Sequence, residues 1–228
     1  MDSCPRSTSQ VRPGYGSTVL IPFSAAIGQP IGFRLATSIQ SLRSSLSFGT
    51  EPSSRFMFKP GEIDERIADR LEQLASAEWE GEVWRHVFGE VPPSKPNDRG
   101  ARWNPPGLAA IYTSVGRDTV LAEADYAISL QTPRPSGRRV LYRLQVKLSS
   151  VLDLTADDGI LPDLGVTGDD LAALDWASTQ VVGAAAAWLG HDGLIVPSAR
   201  HAGRNVVIYP SNRDEYAVFE EVSQEPLS

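Results

Sequence analysis

Five polar residues have the types and placement to do chemistry: Arg85, Arg102, Tyr112, Glu123 and Ser198. The two arginines offer planar guanidinium donors suited to a small anion, and a few of them can dominate a pocket in an otherwise acidic chain. The sharpest local signal surrounds the second, in the hexapeptide RWNPPG at 102–107. Pro105 and Pro106 hold φ at roughly −65° and push Asn104 toward extended backbone, so Arg102 and Asn104 are delivered in one conformation. A group ordered in advance loses less entropy on binding. Trp103 reads as the anchor beneath. Each residue also has a plainer role when taken alone. Arg102 would be a surface ion-pair partner, Tyr112 a core tyrosine with a wet hydroxyl, Glu123 a solvated helix charge and Ser198 a turn cap. Only the ordered set points to a site.

Other chemistries leave no trace. No GxGxxG opens a helix after a strand, and GxxxxGK[ST], HExxH and GxSxG are all missing. The three histidines, His86, His191 and His201, have no metal-like spacing. A hydrolase triad built on Ser198 would need a base beside that hydroxyl, and nothing local supplies one.

The elements that must position the set follow from periodicity. Ile63, Ile67, Leu71 and Leu74 mark one helical stripe, predicting a lead-in helix over 60–80 that Gly81 ends. EVWRHVFG reads as a short strand carrying Arg85 and His86, and the prolines of VPPSKPNDRG break the chain into a loop. LAAIYTS is a strand with Tyr112. GRDTVLAEADYAISL is a helix with Asp118 as N-cap, Val120, Leu121, Ala124, Ala127 and Ile128 as its buried face, and Glu123 at the edge of that face. RRVLYRLQVKL alternates cleanly, with Val140, Tyr142, Leu144, Val146 and Leu148 on one side. Thr167 and Asp170 resemble a capping box, and Thr179 to Leu189 is a small-residue helix stopped by Gly190. In that helix Gln180 reads as satisfying a helix end, and the small residues as close packing. GLIVPSAR and NVVIYP supply two final strands, with Asn205 read as structural. Strands and helices interleave irregularly, so the expected class is α+β, with mixed small β-sheets flanked by helices.

Composition bounds the partners. A net charge of −7 argues against a nucleic-acid backbone as the main partner. Cys4 is the only cysteine, which excludes an intrachain disulfide and a thiolate zinc cluster. No apolar run approaches the roughly 20 residues of a membrane span. Residues 1–59 hold two acids, Asp2 and Glu51, against six bases, and are rich in serine, glycine and proline. They read as a loosely ordered extension. Leu35, Ile39, Leu42 and Leu46 nevertheless recur at helical spacing, and an acid-poor amphipathic leader is also how an organelle transit peptide reads.

The pieces WRHV, GARWNPPG, IYTS, the AE of LAEADY, TQVVGAAAAWLGHDGLIVPSAR and RNVVIYP resemble the RES domain, named for an arginine, a glutamate and a serine. The resemblance covers roughly residues 80–210 and, with the composition and periodicity above, gives an expected organisation of extension 1–59, lead-in helix 60–80, RES domain 81–215 and C-terminal tail 216–228. It also implies a fold like that of ADP-ribosyltransferase toxins. The expected activity is a toxin's: cleaving the nicotinamide–ribose bond of NAD by hydrolysis or phosphorolysis, neutralised by a cognate Xre-type antitoxin. Alternatives are ADP-ribosylation of a protein and a non-catalytic nucleotide-binding module.

Carried over residue by residue, the catalytic set would be Arg102, Glu123 and Ser198. Arg85, Arg102, Tyr112 and Ser198 would bind NAD, which enters as substrate with no further cofactor and no metal. The guanidiniums of Arg85 and Arg102 would hold the diphosphate and Tyr112 the flat ring. Glu123 would stabilise oxocarbenium character on the ribose. Ser198 would donate to a phosphate or ribose oxygen. His86 stands where relatives often have an aromatic residue, and Ala101 where a second glycine is common. The resemblance further implies action in the cytoplasm, with a homodimer among the expected assemblies and no direct nucleic-acid or membrane partner.

Overall fold

The computed structural model describes residues 63–227. The expected extension over 1–59, with its helical spacing and leader-like reading, lies outside the described residues. Helix α1 (Glu65–Glu72) is capped by the Asp64 carboxylate, which accepts from the amides of Arg66 and Ile67. Ala68 and Leu71 bury its apolar face, and Ile63, Ile67 and Leu74 pack on the same cluster. The helix is shorter than its stripe predicts. It ends at Glu72, and strand β1 (Ser76–Phe88) begins where the helical reading would continue. The cause is long-range: from Ser76 to Phe88 this stretch pairs antiparallel with strand β3 (Arg139–Asp153). The ladder satisfies the amides and carbonyls that a helix would have used internally.

Between these partners lie β2 (Ile111–Ser114) and α2 (Arg117–Ser129). Gly116 is the N-cap of α2 and makes no side-chain cap bond, so the expected cap residue Asp118 sits instead in the acidic first turn. Val120 and Ala124 of the expected buried face are buried together with Thr119. Leu121 and Ile128 are half-covered and Ala127 is exposed, because Ala127 borders a cavity that the α2 face overlooks.

After β3 come two short helices, α3 (Ile160–Asp163) and α4 (Gly168–Ala172), and then α5 (Ala177–Trp188). The Thr167 and Asp170 pair forms a complete capping box with Asp in place of the usual Glu or Gln. Gly190, at φ 90°, ends the α5 region as expected. Strands β4 (Gly193–Pro197), β5 (Arg204–Ile208) and β6 (Val218–Leu227) complete the chain.

The architecture is α+β, and among the described residues the strands form a single six-stranded sheet in the order β1-β2-β5-β4-β3-β6. β3 is the hub. Leu141 pairs with both His86 and Glu225, and Val151 with both Ala77 and Gly193. One edge of β3 therefore belongs to β1, and the other is shared by β6 along residues 139–147 and β4 along 151–153. A single bridge, Trp84 to Ser114, joins β1 to β2 and closes the path β1-β2-β5-β4-β3 on itself. The tail expected at 216–228 is thus largely strand: from Val218 to Leu227 it ladders along β3. Its glutamates and exposed pattern hide it from a periodicity reading.

Two apolar clusters hold the frame. One lies between α1, α5 and the sheet and contains Leu71, Trp103, Leu152, Val182, Ala185 and Leu194. The other contains Val83, Val87 and the predicted β3 face of Val140, Tyr142, Leu144, Val146 and Leu148. At Gly183 of α5 the bare backbone lies against the turn: a Cβ there would overlap the Trp103 carbonyl. The small-residue run in α5 is therefore close backbone packing, and it is packing against RWNPPG.

Candidate functional site

The hexapeptide is a clamped turn. Ala101 and Asn104 exchange backbone hydrogen bonds of 2.8 and 3.3 Å, which places Arg102 and Trp103 at the corner. Trp103 is 2% exposed and Asn104 fully buried. Four side chains lock the backbone and its amide. Gln180 donates to the Ala101 carbonyl at 2.9 Å and Tyr209 to the Trp103 carbonyl at 2.9 Å. The Tyr112 hydroxyl accepts from the Trp103 amide at 2.9 Å and donates to Asn104 Oδ1 at 2.7 Å. Asn104 Nδ2 in turn donates to the carbonyls of Asn97 and Leu108. Gln180 therefore does more than finish a helix end, because it reaches across to the turn that presents Arg102. Burial pushes the Tyr112 phenol well above its ordinary range, so it stays protonated and holds both of its bonds.

This turn forms one wall of a cavity of about 440 Å³, within the size range of small-molecule sites. Arg102, Tyr112, Glu123 and the neighbours of Ser198, Pro197 and Ala199, line it together with His86, Ser114, Tyr126, Trp176 and Asn205. One Arg102 nitrogen, Nη1, donates to the carbonyls of Asp170 and Ala173 at 3.2 and 3.3 Å. Burial pulls the pKa of Arg102 down, and the Glu123 carboxylate partly offsets this.

Glu123 is held by one oxygen. Its Oε1 accepts from Ser198 Oγ at 2.6 Å, the Ala199 amide at 3.0 Å and Asn205 Nδ2 at 3.1 Å. Asn205 is itself oriented by Ser114 Oγ, which donates to its Oδ1 at 2.7 Å. Among the described residues Oε2 has no hydrogen-bond partner, so half of the carboxylate is left for a ligand. Three convergent donors cost little reorganisation once folded and fix the oxygen where charge can develop.

Two expected roles change in the structure. The Ser198 proton is committed to Glu123, and its oxygen accepts from the amides of Arg200 and His201 at 3.2 Å each. The hydroxyl therefore serves the carboxylate, whereas the sequence reading had it donate to substrate. Arg85 does not line the cavity. It alternates with His86 along β1, and its Nη2 donates to the Lys95 carbonyl while burial lowers its pKa to about 10. His86 is the β1 residue that faces the pocket. Of the two arginines expected to grip a diphosphate, the structure brings only Arg102 to the cavity.

Sequence reasoning read Asn205 as structural and passed over Ser114. Their partnership follows from the β2–β5 register, which sets Ser114 opposite Asn205, and only pairing could show it. It also passed over Arg200, whose guanidinium lies 3.5 Å from the centre of the Tyr126 ring and donates to the Ala172 carbonyl at 2.9 Å.

The fold is thus α+β, with a pocket lined by an arginine and by a glutamate that a serine holds. The sequence model of the RES domain matches residues 69–228, and the chain belongs to that family. Among curated proteins it is similar to the NAD(+) phosphorylase MbcT of Mycobacterium bovis and of Mycobacterium tuberculosis. Each is 30% identical over 155 residues, covering 64% of this chain and 83% of the relative. Among solved structures it resembles a chain of the M. tuberculosis MbcT–MbcA toxin–antitoxin complex, with a TM-score of 0.63 and 24% identity over 72% of this chain and 93% of that one. That likeness is one of fold.

Proposed function

We propose that the protein is a toxin enzyme that cleaves the nicotinamide–ribose bond of NAD, with phosphate as the acceptor. One observation carries the reading: Glu123 is pinned through one oxygen by Ser198, Ala199 and Asn205, its other oxygen has no partner among the described residues, and it lines the same cavity as Arg102. When the C1′–N bond breaks, its electron pair leaves with the ring nitrogen, so nicotinamide departs neutral and needs no general acid. The ribose becomes oxocarbenium-like, and a fixed carboxylate stabilises that charge. A phosphate oxygen then closes on C1′ to give ADP-ribose 1″-phosphate, whereas water would give ADP-ribose and a proton. The name of the mycobacterial relatives favours phosphate. Arg102 is assigned to the substrate's phosphates and Tyr112 to the wall against which its ring lies.

A partner antitoxin belongs to the proposal, supported by the complex that the structural neighbour forms. Its Xre type, a homodimeric assembly and action in the cytoplasm are expectations of the same reading. Among the described residues no helix is long and apolar enough to cross a membrane.

The test is chromatographic. Purified protein incubated with NAD and phosphate is expected to release nicotinamide and ADP-ribose phosphate. Glu123→Gln should lower kcat by about 10²–10³-fold with the fold intact. NAD left untouched with and without phosphate would sink the proposal. Label retained in a protein band would turn it to ADP-ribose transfer, and binding of ADP-ribose without turnover to a nucleotide-binding module.

A further inference from the structure

His86 stands in the cavity wall, where it meets Phe88 edge-on with ring centres 5.0 Å apart. Its Nε2 lies 3.0 Å from Arg139 Nε. Arginine has five donors and no acceptor, so Nε2 must offer its lone pair, and the ring's single proton then belongs on Nδ1. Arg139 is anchored in turn: its Nη2 donates to Asp125 Oδ1 at 2.6 Å. Arg139 comes from β3 and Asp125 from α2, two residues beyond Glu123, so the clamp ties the sheet to the helix that carries the carboxylate.

We propose that the Arg139–Asp125 pair holds His86 as a neutral imidazole protonated on Nδ1, and that this uncharged ring is a determinant of the pocket's acceptance of the cationic nicotinamide end of NAD. The second half rests on the NAD reading above; the first half does not. The charged groups that face the ring are Arg139 and Asp125. Burial and then Arg139 oppose a second proton, Asp125 favours it, and the balance sets the pKa at about 4. A clamp on Nε2 also excludes the imidazolium by geometry, since a proton there would point at a guanidinium N–H. A neutral aromatic ring can lie beside a pyridinium, whereas an imidazolium would repel it. Arg139 is thus a positioning residue acting through His86.

The test begins with the full-length protein, uniformly labelled with nitrogen-15. Long-range proton–nitrogen spectra of the imidazoles, with His86 assigned by its loss in His86→Phe, are expected to show the Nδ1–H form and no titration between pH 8 and pH 5. An Nε2–H form, or titration near the ordinary histidine value, overturns the clamp whatever the protein's activity. In Arg139→Gln the His86 titration should move upward from its wild-type position, while burial still holds it below the ordinary value. As the ring then gains charge toward pH 5, kcat/KM for NAD should fall in the variant, mainly through KM, where the wild type shows no such fall. ADP-ribose, which lacks the cationic ring, should bind no more weakly over the same range. Arg139→Lys should restore much of the wild-type profile, and His86→Phe with Arg139→Gln should lack the acid limb. A shifted titration with an unchanged profile for NAD overturns the specificity role and leaves the clamp standing. A protein with no NAD turnover at all sinks the NAD reading and with it the second half alone.

Discussion

At the residue scale, the site turns on who donates to Glu123. Ser198 and Asn205 each supply one of three hydrogen bonds to the same oxygen. If their task is to hold that oxygen, Ser198→Ala and Asn205→Ala should cost similar amounts, about tenfold in kcat each, the worth of one hydrogen bond to a charged group. Steady-state kinetics on the two variants checks this. A serine that formed a covalent adduct would instead abolish turnover when removed. His86 makes a second prediction, on stability. Its folded pKa lies below its unfolded one, so the unfolded chain takes up a proton first as pH falls from about 6.5 toward about 4. The histidine's contribution to stability is present above that window and is lost through it. Urea unfolding at pH 7 and pH 5 should therefore show a smaller loss in His86→Phe than in the wild type.

At the element scale, the RWNPPG turn and α5 behave as one unit. Prolines stiffen the turn from within, but its position is set by Gln180, Tyr209 and the bare backbone of Gly183 pressed against the Trp103 carbonyl. Gly183→Ala, innocuous in a free helix, should push α5 and the turn apart. The expected cost is about 1–3 kcal/mol in denaturant unfolding, as for other overpacked cores, with a rise in KM as Arg102 shifts. The same scale shows what periodicity misreads. Residues 76–80 fall within the expected lead-in helix, yet a 15-residue partner strand captures them. Asp118 sits in the first turn of α2 as an acid should, but the cap position falls to Gly116.

At the scale of the whole molecule, β3 bears most of the architecture, with β1 on one edge and β6 and β4 sharing the other. Cutting the chain after Tyr216 would strip β6 and leave the 139–147 edge of β3 unpaired, an exposed template for association. The truncated protein should elute as aggregate in size-exclusion chromatography and lose its cooperative melt. Retention of a monomeric, cooperatively melting species would show that β6 is dispensable.

The elements that carry Arg102, Tyr112, Glu123 and Ser198 were legible in the sequence because each is a local pattern, a proline-locked turn, a short strand, a helix edge and a strand exit, and local patterns need no knowledge of distant partners. So were the α+β class and the buried β3 face, since side-chain alternation is a property of consecutive residues. Only the tertiary structure decided that Arg85 turns away while His86 faces the cavity, that Asn205, oriented by Ser114, reaches Glu123, and that the last ten described residues are a strand. Each of these depends on which strand pairs with which and in what register. A one-residue slip exchanges the two faces of a strand, and the energy that forbids the slip comes from residues dozens of positions away.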